Sequence, residues 1–385
     1  MNHVEKNMLL DPRLDNVLKP VTHKAHDWMH AMVVHGVFHI VAFLLIQNLV
    51  EDGVKDAHRQ FGRYILLWTL PHRVQVNMEK LADLFSATRW KSCITAKYFK
   101  CTASEALNIY SIMAAYVEAV FKRADRCTDA CNAFLKCCNV LDLLLAVPLG
   151  HVDRQTLHNA IDEFLQACVQ AGWQDWFTPK FHWLIHLAVE LERFDGMLLA
   201  CFVQERKHKI VKAFATLHRS TTSYELGLLS DILCQHLADL YPADKFCLDV
   251  RLLEPMQKCK DAVASALRAE APGIPHGDIF TSRRARVSEF EVCRINDVVL
   301  LEGLPGQLVV GQIWFFFSCC DMVAAIISLW PTVSTNASEG TVEVRMQEDM
   351  VCMRLAKEIV CATTYRRRDN GRALILVPCS YRDYV

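Results

Sequence analysis

One carboxylate in this sequence lies within a run of basic residues. Glu205 belongs to the segment PKFHWLIHLAVELERFDGMLLACFVQERKHKIVKAF, which runs from Pro179 to Phe214. The basic residues closest to it in sequence are Arg206, Lys207, His208, Lys209 and Lys212. A carboxylate can bind a divalent metal, and neighbouring cations can bind the phosphates of a nucleic acid. The pattern therefore suits metal-dependent chemistry beside a phosphate backbone.

The same run also fits an exposed helix face without a function. At 3.6 residues per turn, His208 and Lys209 lie on the same face as Glu205, whereas the aliphatic Ile210 lies on the opposite face. Pairs between Glu205 and these cations stabilise an exposed helix by only about 0.2–0.5 kcal/mol each. The spacing alone leaves both interpretations open.

A second group of polar residues lies in AHDWMHAMVVHGVF, from Ala25 to Phe38. Asp27 directly precedes an apolar helical pattern, where a carboxylate can cap free backbone N–H groups. Histidines recur at four-residue spacing, which places both members of a pair on one helix face. These pairs are His26 with His30, His35 with His39, and His182 with His186, the last followed by Glu190.

The histidines leave a metallohydrolase open as an alternative function. Catalytic zinc has three protein ligands, and two sets offer them: His182, His186 and Glu190, or His26, Asp27 and His30. The sequence has no HExxH, P-loop, dinucleotide-binding or GxSxG motif. Histidine pairs of this kind are more common as ordinary core or surface residues.

Length and composition limit the possible class of protein. A chain of 385 residues exceeds the size of one hydrophobic core and predicts two domains. The net charge of −1 means that nucleic-acid binding needs a local basic patch.

The 17 cysteines and an N-terminus without an apolar signal segment predict reduced thiols and an intracellular location, nuclear or cytoplasmic. The apolar runs Val33–Val50 and Trp314–Trp330 contain polar residues, so we predict core elements and no membrane partner.

Helical periodicity extends from about residue 27 to 265 and positions both polar groups. Apolar residues from Met29 to Leu45 predict one long buried helix, which the turn signal Asp52-Gly53 ends. The further predicted helices are Ser104–Phe121, Thr128–Val147, Thr156–Ala171, Lys180–Phe194 and Ser223–Leu240, with a helix or strand–helix unit over Leu198–Leu217.

After the Pro- and Gly-rich run from Ala271 to Gly277, the apolar period becomes two, which indicates strands. The predicted strands are Val298–Leu301, Leu308–Phe317, Ala324–Leu329, Thr341–Arg345, Glu358–Thr364 and Arg372–Val377. The predicted fold class is mainly α with a separate small, barrel-like β domain, α+β overall. The expected division is a polar lead at 1–26, a helical region at 27–265, a linker at 266–285 and a β-rich domain at 286–385.

Over residues 15–240 the sequence resembles transposases of CACTA (En/Spm-type) and Kyakuja–Dileera–Zisupton-type DNA transposons. PKFHWLIHLAVELERFD followed by CFVQERKHK is similar to their KFHxLxHLPxxxxRFG segment and the FER or TER acid that follows it. HDWMHAMVVHGVF resembles their D-x-MH segment and apolar helix. The order and spacing of the motifs agree, although each motif is short.

The resemblance implies an RNase H-like DDE/D fold with a large helical insertion before the last acid. By position, Asp27 would be the second metal-binding Asp and Glu205 the final Glu, catalytic ligands of Mg²⁺ or Mn²⁺. The residues implied to bind DNA phosphates are Arg206, Lys207, Lys209, Lys212 and Arg219.

The first catalytic Asp of such a site lies on the opening strand of the sheet, and no such strand is evident before Asp27. The resemblance therefore implies an incomplete RNase H-like remnant, the C-terminal region of a transposase. We expect this chain to bind the DNA backbone and not to catalyse strand transfer by itself. Without catalysis it would need no cofactor. The remaining alternative is a non-catalytic scaffold that forms a homo-oligomer or binds a protein partner through the β domain.

Overall fold

Helices form the N-terminal part of the chain and antiparallel sheets form the C-terminal part, which confirms the α+β class. The structure is a computed structural model. It describes residues 25–74, 76–201, 211–216, 223–240, 249–289, 291–303, 307–336 and 340–378.

Apolar residues at three- and four-residue spacing give the helices one buried face each, and these faces build a single large core. The helices up to residue 193 are α1 (Trp28–Met32), α2 (Val37–Glu51), α3 (Ala57–Ile65), α4 (Met78–Asp83), α5 (Ala87–Ala96), α6 (Ala103–Tyr116), α7 (Thr128–Ala146), α8 (Arg154–Gln170) and α9 (Pro179–Arg193). A π-helical turn, Val117–Lys122, follows α6. Gly150 and Gly172 follow α7 and α8 with positive φ angles, which glycine adopts without strain.

The single long helix expected over Met29–Leu45 is wrong, because the chain breaks between α1 and α2. His35 has a φ of 46° at the break. A Cβ atom at Gly36 would lie 2.4 Å from the carbonyl oxygen of Ala31, so only glycine fits there. The break separates the polar start of α1 from the apolar α2, which ends at Glu51 before the predicted Asp52-Gly53 turn.

Two further helices follow, α10 (Tyr224–Leu240) and α11 (Asp261–Glu270). Residues 211–216 are also helical. The expected unit over Leu198–Leu217 lies largely outside the described residues.

Short strands with alternating burial make up the C-terminal part. They are β1 (Arg251–Leu252), β2 (Met256–Lys258), β3 (Ile279–Ser282), β4 (Arg284–Arg286), β5 (Val292–Arg294), β6 (Val298–Glu302), β7 (Leu308–Cys319), β8 (Met322–Trp330), β9 (Thr332–Asn336), β10 (Thr341–Arg345), β11 (Val351–Leu355), β12 (Ile359–Ala362), β13 (Tyr365–Arg368) and β14 (Arg372–Leu376). Each of the six strands predicted from the sequence is present, with ends that differ by at most two residues.

Within the described residues the strands form open sheets and no closed barrel, so the expected barrel is wrong. The three sheets have the orders β1-β4-β5, β13-β14-β10-β9 and β11-β8-β7-β3-β2, with β6 pairing both β7 and β12. One edge of the long strand β7 pairs with β6 near its start and with β3 near its end. Because two different strands share this edge, the sheet branches there.

The segment 266–285, expected to be a linker, contains the end of α11, all of β3 and the start of β4. Strand structure begins at Arg251, earlier than predicted. The Pro- and Gly-rich run forms only the turn between α11 and β3, and the alternating residues after it pair with β7.

The β sheets pack directly against the helices. Thr69, after α3, forms a two-way backbone bridge with Tyr365 of β13, with N–O distances of 2.7 and 3.0 Å. Leu374 and Leu376 of β14 belong to the helical core. The two regions are therefore continuous in packing.

Two helical stretches, Trp28–Glu51 and Thr128–Leu149, are long and apolar enough for a membrane span. The most apolar window of each is 78% and 67% buried inside the protein, and core helices of water-soluble proteins meet the same criterion. The apolar run Trp314–Trp330 instead forms most of the β7–β8 hairpin, whose turn contains Asp321.

Candidate functional site

Asp27 lies at the start of α1 and joins two distant parts of the chain. Its Oδ1 accepts the Met29 backbone N–H at 3.0 Å, which confirms the predicted helix cap. The same oxygen accepts the Cys201 backbone N–H at 3.2 Å. The backbone N–H of Trp28 donates to the carbonyl of Leu199 at 3.1 Å. The segment that leads into the basic run therefore lies alongside Asp27.

The other oxygen of Asp27 faces two potential metal ligands. His30 Nδ1 contacts Asp27 Oδ2 one turn along α1. The thiol of Cys201 is close as well, and ligand atoms of Asp27, His30 and Cys201 all lie within 4.8 Å of one another. All three residues are half-buried. A carboxylate, an imidazole and a thiol thus converge at one point.

A second polar contact connects α1 to α9. Glu190 accepts the backbone N–H of His26 at 2.9 Å, and its other oxygen lies 2.6 Å from His26 Nδ1. Glu190 is only 6% exposed. A carboxylate in such a position needs partners, because an unpaired buried charge is costly. Glu190 therefore fixes the position of His26 rather than extending the His182–His186 pair.

His182, which is exposed, and His186, which is half-buried, form a pair on the same helix, with their Nε2 atoms 3.0 Å apart. The ring of His26 stacks on His186 with centroids 5.0 Å apart. The two residue sets that the sequence offered for a metallohydrolase are therefore neighbours. Their contacts do not follow those two sets, however. Asp27 and His30 lie together with Cys201, whereas His26 is bound by Glu190.

Lys180 connects the first turn of α9 to the break after α1. Its Nζ donates to the carbonyls of Val34 at 2.7 Å and His35 at 3.0 Å. Burial lowers the pKa of Lys180, and the negative charge of Asp27 opposes this shift. The Lys180 amine thus binds two backbone carbonyls at the break between α1 and α2. This contact helps to place α9 beside Asp27.

Several residues predicted for the site lie outside the described residues. They are Glu205, Arg206, Lys207, Lys209 and Arg219. Lys212 lies in the helical segment 211–216 and is exposed. The pairing of Asp27 with Glu205 at a metal, and the DNA-binding role of the basic residues, therefore stay predictions.

Cys201 is the site residue that sequence reasoning did not select as a metal ligand. Cys201 and His30 are far apart in the sequence and belong to no common motif. Only the fold brings them together. The sole signal was its position at the start of CFVQERKHK, next to the predicted acid.

Comparisons with protein-family models, with curated proteins and with solved structures give no match to this chain.

Proposed function

We propose that this chain is a transposase-like protein derived from a DNA transposon, related to the RNase H-like DDE/D superfamily. In this proposal α1–α9 belong to the catalytic region and its helical insertion. Its activity is binding to the DNA backbone through the basic run between Arg206 and Arg219, without strand transfer by this chain alone.

The observation that supports the proposal most is the hydrogen bond from Cys201 N–H to Asp27 Oδ1, 3.2 Å long. Glu205 follows Cys201 by four residues, and four fully extended residues span at most about 14 Å. The length of chain between Cys201 and Glu205 therefore allows the two acids to be neighbours. The proposed relationship between the two acids requires this proximity.

The side chains described around Asp27 do not fit Mg²⁺ well. Magnesium prefers oxygen ligands in octahedral geometry, whereas the side chains that converge with Asp27 offer an imidazole nitrogen and a thiol. Glu190 supplies carboxylate oxygens nearby, but it holds His26. We therefore assign no catalytic step to Mg²⁺ or Mn²⁺.

Charge supports backbone binding rather than sequence-specific recognition. The residues between Arg206 and Arg219 carry five Lys or Arg side chains and no acid. Each cation that neutralises a phosphate releases a counterion, so binding weakens as salt concentration rises. A local patch is needed because the whole chain has a net charge of only −1.

The test is the salt dependence of binding to a duplex of random sequence. We expect Lys207→Ala, Lys209→Ala and Lys212→Ala in combination to weaken binding and to reduce the slope of log K against log salt by about 2–3, because each phosphate contact contributes about 0.9. Fluorescence anisotropy between low and physiological salt measures both quantities.

The matched control replaces three exposed lysines elsewhere, Lys55, Lys80 and Lys91, by alanine. This variant has the same net charge as the test variant and should keep the original slope. Equal slopes in all three proteins, or no binding by the unsubstituted chain, would contradict the proposal and favour the scaffold alternative.

A further inference from the structure

We propose that Asp27, His30 and Cys201 form a binding site for a zinc-type divalent ion. The three potential ligand atoms lie within 4.8 Å of one another. They come from the start of α1 and from the segment after α9, so the fold assembles the cluster. The proposal concerns the ion class of this cluster and does not depend on DNA binding.

The backbone holds the Asp27 carboxylate in a fixed orientation. Oδ1 accepts N–H groups from Met29 at 3.0 Å and from Cys201 at 3.2 Å. These two bonds leave Oδ2 directed toward His30. Outer hydrogen bonds of this kind orient a ligand and favour its binding to a metal. One of them comes from Cys201 itself, so the same residue supplies the thiol and fixes the carboxylate.

The three donor types select the class of ion. Zinc binds thiolate, imidazole and carboxylate at about 2.0–2.3 Å, usually in tetrahedral geometry. Those bond lengths place neighbouring ligand atoms roughly 3.3–3.7 Å apart. The ligand atoms of the cluster lie within 4.8 Å of one another, so small side-chain adjustments would bring them to that spacing. Hard ions such as Mg²⁺ and Ca²⁺ discriminate against sulfur and nitrogen donors.

Charge and protons balance on binding. The ion takes the place of the proton between His30 Nδ1 and Asp27 Oδ2; that proton is released to solvent, and the neutral imidazole keeps one proton on Nε2. The Cys201 thiol also releases its proton to solvent as sulfur binds the metal. The resulting thiolate and carboxylate together offset the two positive charges of the ion. Three protein ligands leave one tetrahedral position for water or another ligand.

The His182–His186 pair is a competing place for the same ion. Its two Nε2 atoms lie 3.0 Å apart, and Glu190 is held by His26. Two ligands on one exposed helix face bind a metal more weakly than three ligands of mixed type. The experiment must therefore separate the two places.

The test uses the full chain, purified without chelator and titrated with Co²⁺ and then with Zn²⁺. We expect Co²⁺ to give a thiolate-to-cobalt charge-transfer band together with the visible bands of tetrahedral cobalt, and Zn²⁺ to abolish both. Cys201→Ser should remove the charge-transfer band and lower the Zn²⁺ affinity at least about tenfold, and His30→Gln should lower the affinity similarly.

The controls are Cys234→Ser, which removes an exposed thiol of α10, and His182→Ala, which removes the competing pair. Both should keep the band and the affinity. Circular dichroism verifies that each variant folds, and Zn²⁺ should raise the melting temperature of the unsubstituted protein more than that of Cys201→Ser. The proposal is overturned if the band survives Cys201→Ser, if His182→Ala abolishes binding, or if no Zn²⁺ binds. DNA binding is measured separately, so failure here leaves the proposed function standing.

Discussion

At the scale of single residues, the site is organised by carboxylates that each hold more than one partner. Asp27 caps α1, accepts the Cys201 N–H and contacts His30. Glu190 binds both the backbone and the ring of His26. Because Asp27 caps α1 and Glu190 lies on α9, their bonds fix the polar residues where these two helices meet. The histidines of the site are therefore positioned before any ligand binds.

Replacing Glu190 tests the strength of this arrangement. We expect Glu190→Ala to lower the free energy of unfolding by about 1–3 kcal/mol, because it leaves the partly buried N–H and the ring of His26 without their acceptor. Glu190→Gln should cost less, since its amide oxygen can still accept one bond. Urea unfolding followed by circular dichroism measures the change.

The control for this substitution lies two residues further along α9. Glu192 is exposed and pairs with the exposed Arg154, so Glu192→Ala should change stability by less than about 0.5 kcal/mol. An equal effect of Glu190→Ala and Glu192→Ala would show that the contact with His26 contributes little.

At the scale of elements, the break between α1 and α2 separates a short helix that carries site residues from a long helix that is buried in the core. Gly36 permits a close backbone approach that no other residue allows. The break lets α1 present Asp27 and His30 at the surface of the core, while α2 is buried. His39 lies on α2, is only 1% exposed, and lies with Nε2 3.0 Å from the carbonyl of Cys101.

His39 makes stability depend on pH. Burial is the main cause that lowers its pKa from 6.5 to about 4. The unfolded chain therefore binds the proton more readily, and stability falls as the pH drops from about 6.5 toward 4. By linkage this one histidine makes the protein about 2 kcal/mol less stable at pH 5 than at pH 7.

His39→Leu tests this prediction, because leucine cannot take up the proton. The variant loses the contact with Cys101 at every pH, but its loss of stability between pH 7 and pH 5 should be about 2 kcal/mol smaller than that of the unsubstituted chain. Urea titrations at both pH values give the comparison. His151→Ala, at an exposed position, should keep the original loss. A loss unchanged by His39→Leu would contradict the assignment.

At the scale of the whole molecule, buried acids of the β sheets bind the loop that follows α3. Glu291 pairs with Arg73 and accepts the Ala362 N–H at 3.2 Å. Asp297 accepts the His72 backbone N–H at 2.7 Å and lies 2.9 Å from its ring. Together with the Thr69–Tyr365 bridge, these contacts join the helical and β regions. We therefore expect the two regions to unfold as one cooperative unit.

Arg73→Ala tests this junction. Glu291 is 6% exposed and would keep its charge in a buried place without its cation, so we expect a loss of about 1–3 kcal/mol at pH 7. Burial already raises the pKa of Glu291, and Arg73 opposes that shift. The stability deficit of the variant should therefore grow as the pH rises above about 4.5.

The double variant Arg73→Ala with Glu291→Gln removes both charges and should be more stable than Arg73→Ala alone. Arg89→Ala breaks an exposed pair with Asp83 and should have little effect. Denaturant unfolding with separate helical and β probes measures all four proteins. If the double variant recovers nothing, the charge of Glu291 is not the cause of the loss.

The local elements were largely predictable from the sequence. Apolar spacing identified α6–α9 and the six strands β6, β7, β8, β10, β12 and β14. The failures have non-local causes. The helical pattern from Met29 to Leu45 is continuous, yet backbone packing at Gly36 breaks it. Barrel closure depends on which strands share an edge of β7, and alternation within a strand carries no such information.

The sequence by itself determined the α+β class, the cap at Asp27 and the histidine pairs, because these follow from spacing within one element. Only the tertiary structure decided how those residues are divided between partners. It placed Cys201 beside Asp27 and His30, and it turned Glu190 toward His26. Residues so far apart in the chain meet only when their helices pack, and the packing is set by the buried core rather than by the polar residues themselves.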